Sequence, residues 1–252
     1  MKRAACLIGV LTALAAGAYV LPGGSILRRM VRGQDETMPS SFRVEGTYVF
    51  SGPAAKEASA ALKVSADRPE LLADGVILVK AQRRCRFELA VPEGGKLAVV
   101  QVGERRRAEG GELAALSAAM SQLCPVLGVR AIGDNETGTR DEVEQHLQSL
   151  GIATRTTSLA RFGGEVAYVL GDPEEGKPQF WIYKDRFRPA RVRWKEKAGP
   201  AWDVRFIDYN SPATGDWMPR GIEVWRDGQR VLRFTAIKSD PRASLPDKLF
   251  TP

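Results

Sequence analysis

The sequence predicts one α+β domain in which a strongly curved antiparallel sheet wraps around a few helices. Three observations carry this reading. Apolar and polar residues alternate with a period of two through most of the chain after residue 41, as strands with one buried face do. Only three stretches switch to helical spacing. No Pro- or Ser-rich linker and no internal repeat divides the 252 residues, a length that suits one large or two small domains at roughly 150 residues each. About ten strands with so few helices favour a sheet that curls over a flat stack.

The chain opens with Lys2 and Arg3, an uninterrupted apolar run from Ala4 to Leu21, and then Pro22-Gly23-Gly24. A basic start, an apolar stretch and the small triplet Ala16-Gly17-Ala18 fit a secretory signal peptide cleaved after Ala18, so residues 1–18 read as a leader and 19–252 as the domain. An uncleaved membrane anchor is the competing reading, because 18 apolar residues just reach the length of a span. Both readings export the chain, and the expected location is the periplasm. Cys6 precedes the apolar run's core and is no lipidation site. Loss of the leader removes two of the 37 basic side chains, so the net charge falls from +7 to +5. It also leaves only Cys85 and Cys124. In an oxidising compartment these either close a loop of about 40 residues as a disulfide or stay apart as buried thiols.

Residues 25–32 carry Ile26, Leu27, Met30 and Val31 on one helical face, with Ser25 as an N-cap candidate. From Phe42 the pattern turns to strand, with Val44, Gly46, Tyr48 and Phe50 opposing Arg43, Glu45 and Thr47. Further strands are expected at 61–65, 75–82, 85–91 and 97–102, the last two separated by the turn Pro92-Glu93-Gly94-Gly95. Residues 111–127 read as a helix, with Leu113, Leu116, Met120, Leu123 and Leu127 at helical spacing. A second helix at 139–150 starts from a capping-box pattern, Thr139 with Glu142, and stops at Gly151. The remainder, 153–237, reads as almost wholly strand, and Asp227-Gly228 marks a hairpin.

Composition excludes several chemistries. With one histidine, no site needing two can be built. That residue, His146, sits mid-helix beside Gln145 and Leu147 and reads as a surface histidine. There is no Gly-x-Ser-x-Gly elbow, phosphate loop or dinucleotide fingerprint. The acidic stretch Asp134-Asn135-Glu136-Thr137-Gly138 puts glycine where a calcium loop needs a ligand, and reads as an ordinary turn before a helix. Glu174 and Glu175 lie in a Pro- and Gly-containing loop and look solvated. No enzyme, cofactor or metal site is expected, and the chain is expected to be a monomer.

Arginine outnumbers lysine by more than two to one, and it clusters at Arg83, Arg84 and Arg86, at Arg105–Arg107, and at Arg186, Arg188, Arg191 and Arg193. For an exported chain the counter-surface would be an acidic envelope protein or anionic lipid headgroups, not nucleic acid. The plain alternative is the polar outer face of a sheet. Aromatic residues crowd the C-terminal strands, from Phe180 and Trp181 to Trp225 and Phe234. They either fill a core or line the apolar cavity of a curved sheet. Candidate lining residues are Trp181, Trp194, Val204, Phe206 and Trp225 from the strands and Leu116 and Met120 from the helix at 111–127.

Several strings carry a likeness: Phe42 to Thr47 (FRVEGT), Arg161 to Leu170 (RFGGEVAYVL), Pro178 to Asp185 (PQFWIYKD), Val204 to Tyr209 (VRFIDY), Trp217 to Arg220 (WMPR) and Leu245 to Phe250 (LPDKLF). Through them the chain resembles the LolA-like periplasmic lipoprotein carriers, and more closely the group described as outer-membrane lipoprotein-sorting proteins, over nearly the whole mature length. The resemblance implies an unclosed β-barrel whose concave face is covered by helices, here 111–127 and 139–150. It implies an apolar cavity that holds lipoprotein acyl chains or other lipids during transport toward the outer membrane. The same fold also implies a second possibility, an envelope sensor or assembly factor, held by an uncleaved N-terminal segment if that is not removed.

Overall fold

The computed structural model describes residues 20–81, 83–128 and 136–251; the expected leader lies outside them, as do Asp134 and Asn135 of the acidic stretch. In chain order come α1 (Gly23–Thr37), β1 (Ser41–Ser51), α2 (Pro53–Leu62), β2 (Glu70–Lys80), β3 (Arg84–Ala90), β4 (Lys96–Val102), β5 (Arg105–Glu109), α3 (Ala114–Val126) and α4 (Glu136–Ser149). Then follow β6 (Thr157–Phe162), β7 (Glu165–Gly171), β8 (Gln179–Tyr183), β9 (Pro189–Lys195), β10 (Ala201–Ile207), β11 (Gly221–Arg226), β12 (Gln229–Asp240) and a 3-10 turn, Asp247–Phe250. Among the described residues no helix is long and apolar enough to cross a membrane.

All twelve strands form one antiparallel sheet in the order β5-β4-β3-β2-β1-β12-β11-β10-β9-β8-β7-β6. Every neighbour is also a neighbour in sequence except the pair β1 and β12. The chain therefore meanders outward through β1–β5, crosses by way of α3 and α4, and meanders back from β6 to rejoin its first strand. The sheet is left unclosed at β5 and β6, the two strands that this helical crossing joins.

Alternation explains which face is buried. In β1, Phe42, Val44, Gly46, Tyr48 and Phe50 point inward, and in β10 Trp202, Val204 and Phe206 do so. Phe42, Tyr48, Phe50, Phe87, Phe180, Phe206 and Phe234 are all essentially inaccessible, each a gain of about 2–3 kcal/mol over leaving it in water. Tight curvature needs places without side chains. A Cβ on Gly75 would sit 2.2 Å from the Tyr48 ring, and one on Gly46 would sit 2.3 Å from the Thr235 carbonyl oxygen. Gly46 also adjoins a bulge in the β1–β12 register, which adds twist where the sheet bends.

Four elements differ from the sequence expectation. Residues 61–65 are not a strand; they hold the end of α2 and the left-handed Lys63 that terminates it. Ala54, Ala55, Ala58 and Leu62 of that helix are buried at helical spacing, and Pro53 starts it. Edge strand β5 coincides with the cluster Arg105–Arg107, whose uniform charge hid any alternation. Helix α1 begins at Gly23 after Pro22, so Ser25 lies in its first turn and caps nothing. Helix α4 begins at Glu136, one turn before Thr139. The Cys85–Cys124 disulfide is formed, tying β3 to the C-terminal part of α3.

After β12 the chain runs back across the outer face of β1–β4. Leu245, Leu249 and Phe250 cover Leu78 and Val100 there, while Lys80 and Arg84 hold the Asp247 carboxylate.

Candidate functional site: the concave interior and its mouth

The concave side of the sheet is occupied by α3. Its sequence mixes alanines with Leu116, Met120 and Leu123, and every residue except Ala114 and Ser121 is buried. A helix apolar on all sides belongs inside a fold and not on its surface. It touches β3 and β4 from one half of the sheet and β10, β11 and β12 from the other. Its N-terminal end is tied to β5 only through the partly exposed Glu112, which accepts from Ser117 (3.2 Å) and from Arg106 (2.7 Å), whereas its C-terminal end is bonded through Cys124 and receives a hydrogen bond from Gln34 Nε2 of α1 to the Val126 carbonyl (2.9 Å).

Five of the seven predicted lining residues converge on this interior. Val204, Phe206, Leu116 and Met120 are fully buried. Trp194 sits half-buried at the rim, its ring 6.2 Å from that of Trp202 and nearly parallel to it. Trp202, which the sequence reading passed over as a lining residue, faces inward beside Val204 on the same alternation.

Trp181 and Trp225 project from the opposite, outer face. Trp225 pairs across strands with Asp203, and Trp181 with Arg191. The alternation held the signal: Trp225 shares its face with Glu223 and Trp181 with Gln179, while Ile222, Val224, Phe180 and Ile182 take the inward positions.

An opening lies at the edge of this interior. A cavity of about 300 Å³ lies between α3, α4, β9 and β10, lined by Ala118, Gln122, His146, Trp194 and Trp202, with Arg106 and Glu112 at its rim. The Trp202 indole donates to Glu196 (2.8 Å), which fixes that ring at the rim. His146 is half-buried here and not a free surface residue. Its Nε2 lies 3.0 Å from Gln122 Oε1, across the contact between α4 and α3. Burial, with the nearby Arg83 charge adding to it, pushes the imidazole down to about 4, so it is neutral near pH 7. A larger hollow, about 740 Å³, lies on the outer face of β1–β5 with Glu45, Asp74, Glu88, Glu109, Arg86 and Lys96 around it. It is separated from the interior by the sheet itself.

The outer face of β8–β12 is a charged lattice. Asp203 accepts from both Arg191 and Arg205, and Glu223 from both Arg230 and Arg233. Burial alone would raise the Asp203 carboxyl, but hydrogen bonds from Arg191 and Arg205 outweigh it and hold it below its ordinary value. The Arg205 guanidinium lies 4.0 Å above the Trp225 ring and that of Arg191 5.4 Å from the Trp181 ring, both cation–π distances.

No protein-family model matches the chain, and no curated protein sequence does. Solved structures do match. A LolA superfamily protein from Nitrosomonas europaea aligns over 92% of this chain and 99% of its own at 16% identity, with a TM-score of 0.51. A DUF1329 family protein from Desulfovibrio piger aligns over 92% and 98% at 12% identity, with a TM-score of 0.45. MucB, in a MucA/MucB complex from Pseudomonas aeruginosa, aligns over 91% of this chain and 61% of its own at 14% identity, with a TM-score of 0.31. An unclosed twelve-stranded antiparallel sheet with helices across its concave side, matched over nearly the full length of the first of these, gives this chain the LolA-like fold.

Proposed function

We propose that the protein is a periplasmic carrier that takes lipoprotein acyl chains, or other lipid chains, between its sheet and α3, and that α3 fills this space when no lipid is bound. The observation that carries the reading is α3 itself: an apolar helix of small residues, laid across the sheet and cross-linked to it by a disulfide near its C-terminal end only. Burying an acyl chain is worth roughly 0.8 kcal/mol per CH₂, so a chain of about 15 carbons cannot cross water unshielded. The empty carrier has the mirror-image problem, since Val204, Phe206, Ile222 and Val224 would face solvent. A displaceable helix covers the same surface in the empty state, and lipid replaces it in the loaded one. The mouth beside Trp194 and Trp202 is where a chain would enter. The Cys85–Cys124 bond supports an oxidising compartment.

Native mass spectrometry after gentle purification from an envelope fraction tests this. Acyl-bearing species should accompany the protein, and brominated fatty acid should quench the fluorescence of Trp194 and Trp202. Lipid-free protein that also resists quenching at saturating fatty acid refutes the carrier reading. A filled interior also suits an envelope sensor or assembly factor on the same fold; its signature in the same spectra is a stoichiometric protein partner without lipid.

A further inference from the structure

The outer face of β8–β12 presents six cationic side chains, Arg191, Arg193, Lys195, Arg205, Arg230 and Arg233, around two carboxylates, Asp203 and Glu223. Each carboxylate already serves two arginines. Arg193 and Lys195 form no ion pair among the described residues, although Asp203, opposite Arg193 across the strands, and Glu175 both lie close enough to be felt by Arg193. Arg193 is also half-buried, and burial together with the Arg191 charge disfavours its protonated form, an environment that an added anion would relieve. We infer that this face is the docking surface for an extended acidic polypeptide segment, with Arg193 and Lys195 at its centre.

The geometry selects that partner. Arg191, Arg193 and Lys195 alternate along β9 and so point outward every second residue, about 6.6 Å apart, which is the spacing of alternate side chains in an extended peptide. On β10 the Arg205 guanidinium stands opposite Arg191, a strand spacing of about 4.8 Å away, while β8 sets Trp181 and Gln179 on the other side. A strand-like segment with a carboxylate at every second position can therefore meet a cation at each one. A bilayer fits less well. The Trp181 and Trp225 indoles lie beneath guanidinium groups, and the exposed large apolar residues, Leu72 and Ile237, stand on β2 and toward the far end of β12, outside this lattice. The inference is independent of the carrier reading, because the sheet separates this face from the interior.

The test uses an eight-residue peptide with glutamate at alternate positions, its glutamine counterpart, and vesicles of phosphatidylglycerol. Calorimetry and Trp fluorescence should show the acidic peptide binding at 50 mM salt, at least tenfold weaker at 300 mM, with the glutamine peptide silent. The double variant R193Q/K195Q should lose binding at least tenfold; it breaks no ion pair and sets no like charge against Asp203, so its unfolding midpoint should stay with the wild type. Equal binding of both peptides, or undiminished binding by the double variant, overturns the proposal. So does retention by the vesicles that saturating acidic peptide fails to reverse.

Discussion

Reducing the Cys85–Cys124 bond is the most direct perturbation of the structure, because no side chain is replaced. The bond closes a loop with a sequence separation of 39 residues. Chain-entropy closure of a loop that size restricts the unfolded state by about 13 cal/mol/K, or about 4 kcal/mol at 25 °C. For a domain of this length each kcal/mol moves the melting midpoint by roughly 2–4 °C, so full reduction should lower it by about 8–16 °C. Urea unfolding with and without a phosphine reductant measures the free-energy difference, and thiol titration confirms reduction. The structure adds a local expectation, since both sulfurs are buried and Cys124 is the covalent attachment of α3. Amide exchange in α3 should therefore accelerate more than in β9–β11. A loss below about 1 kcal/mol, or exchange that rises uniformly, would refute the view that this bond holds the helix in place.

Other substitutions separate rim from core. Phe206→Asp places a charge at a fully buried position and should abolish cooperative unfolding, whereas Trp194→Asp at the rim should keep the fold, by circular dichroism, and lose fatty-acid quenching. Gly75→Ala sets a methyl group against the Tyr48 ring and should cost about 1–3 kcal/mol in urea. His146 titrates near 4 when folded and about 6.5 when unfolded. The unfolded chain therefore binds more protons between those values, and stability from this group, at most about 3 kcal/mol, is complete above pH 6.5 and lost as pH falls toward 4. His146→Gln should flatten the stability profile between pH 6.5 and 4.5; an unchanged slope would show that the histidine is solvated.

Strand content and inward faces were legible wherever alternation was clean, as in β1 and β10. Where it was not, the physics was of another kind. Helix α2 is short and built of alanine, so its periodicity rests on Leu62 and four small residues. Edge strand β5 carries three adjacent arginines, a common protection of an exposed edge that erases the pattern of a strand. His146 looked solvated from its polar neighbours, but its burial is tertiary, produced by the approach of Gln122 from α3. Trp181 and Trp225 show the opposite case. Their outward placement followed from the alternation, and residue type suggested an interior role that position did not support. That α3 would fill the concave side could not be read from one helix's sequence alone, since the space it fills is set by strands from both halves of the chain.

The single non-sequential pairing of the sheet, β1 with β12, has a kinetic meaning. The first strand made must wait for the last before one of its edges is satisfied, so an unfolded or newly made chain carries a long, apolar, half-paired strand through most of its assembly. Such an edge can recruit a strand from another copy. Folding yield should therefore fall with concentration, and early aggregates should be joined through the segment Ser41–Ser51.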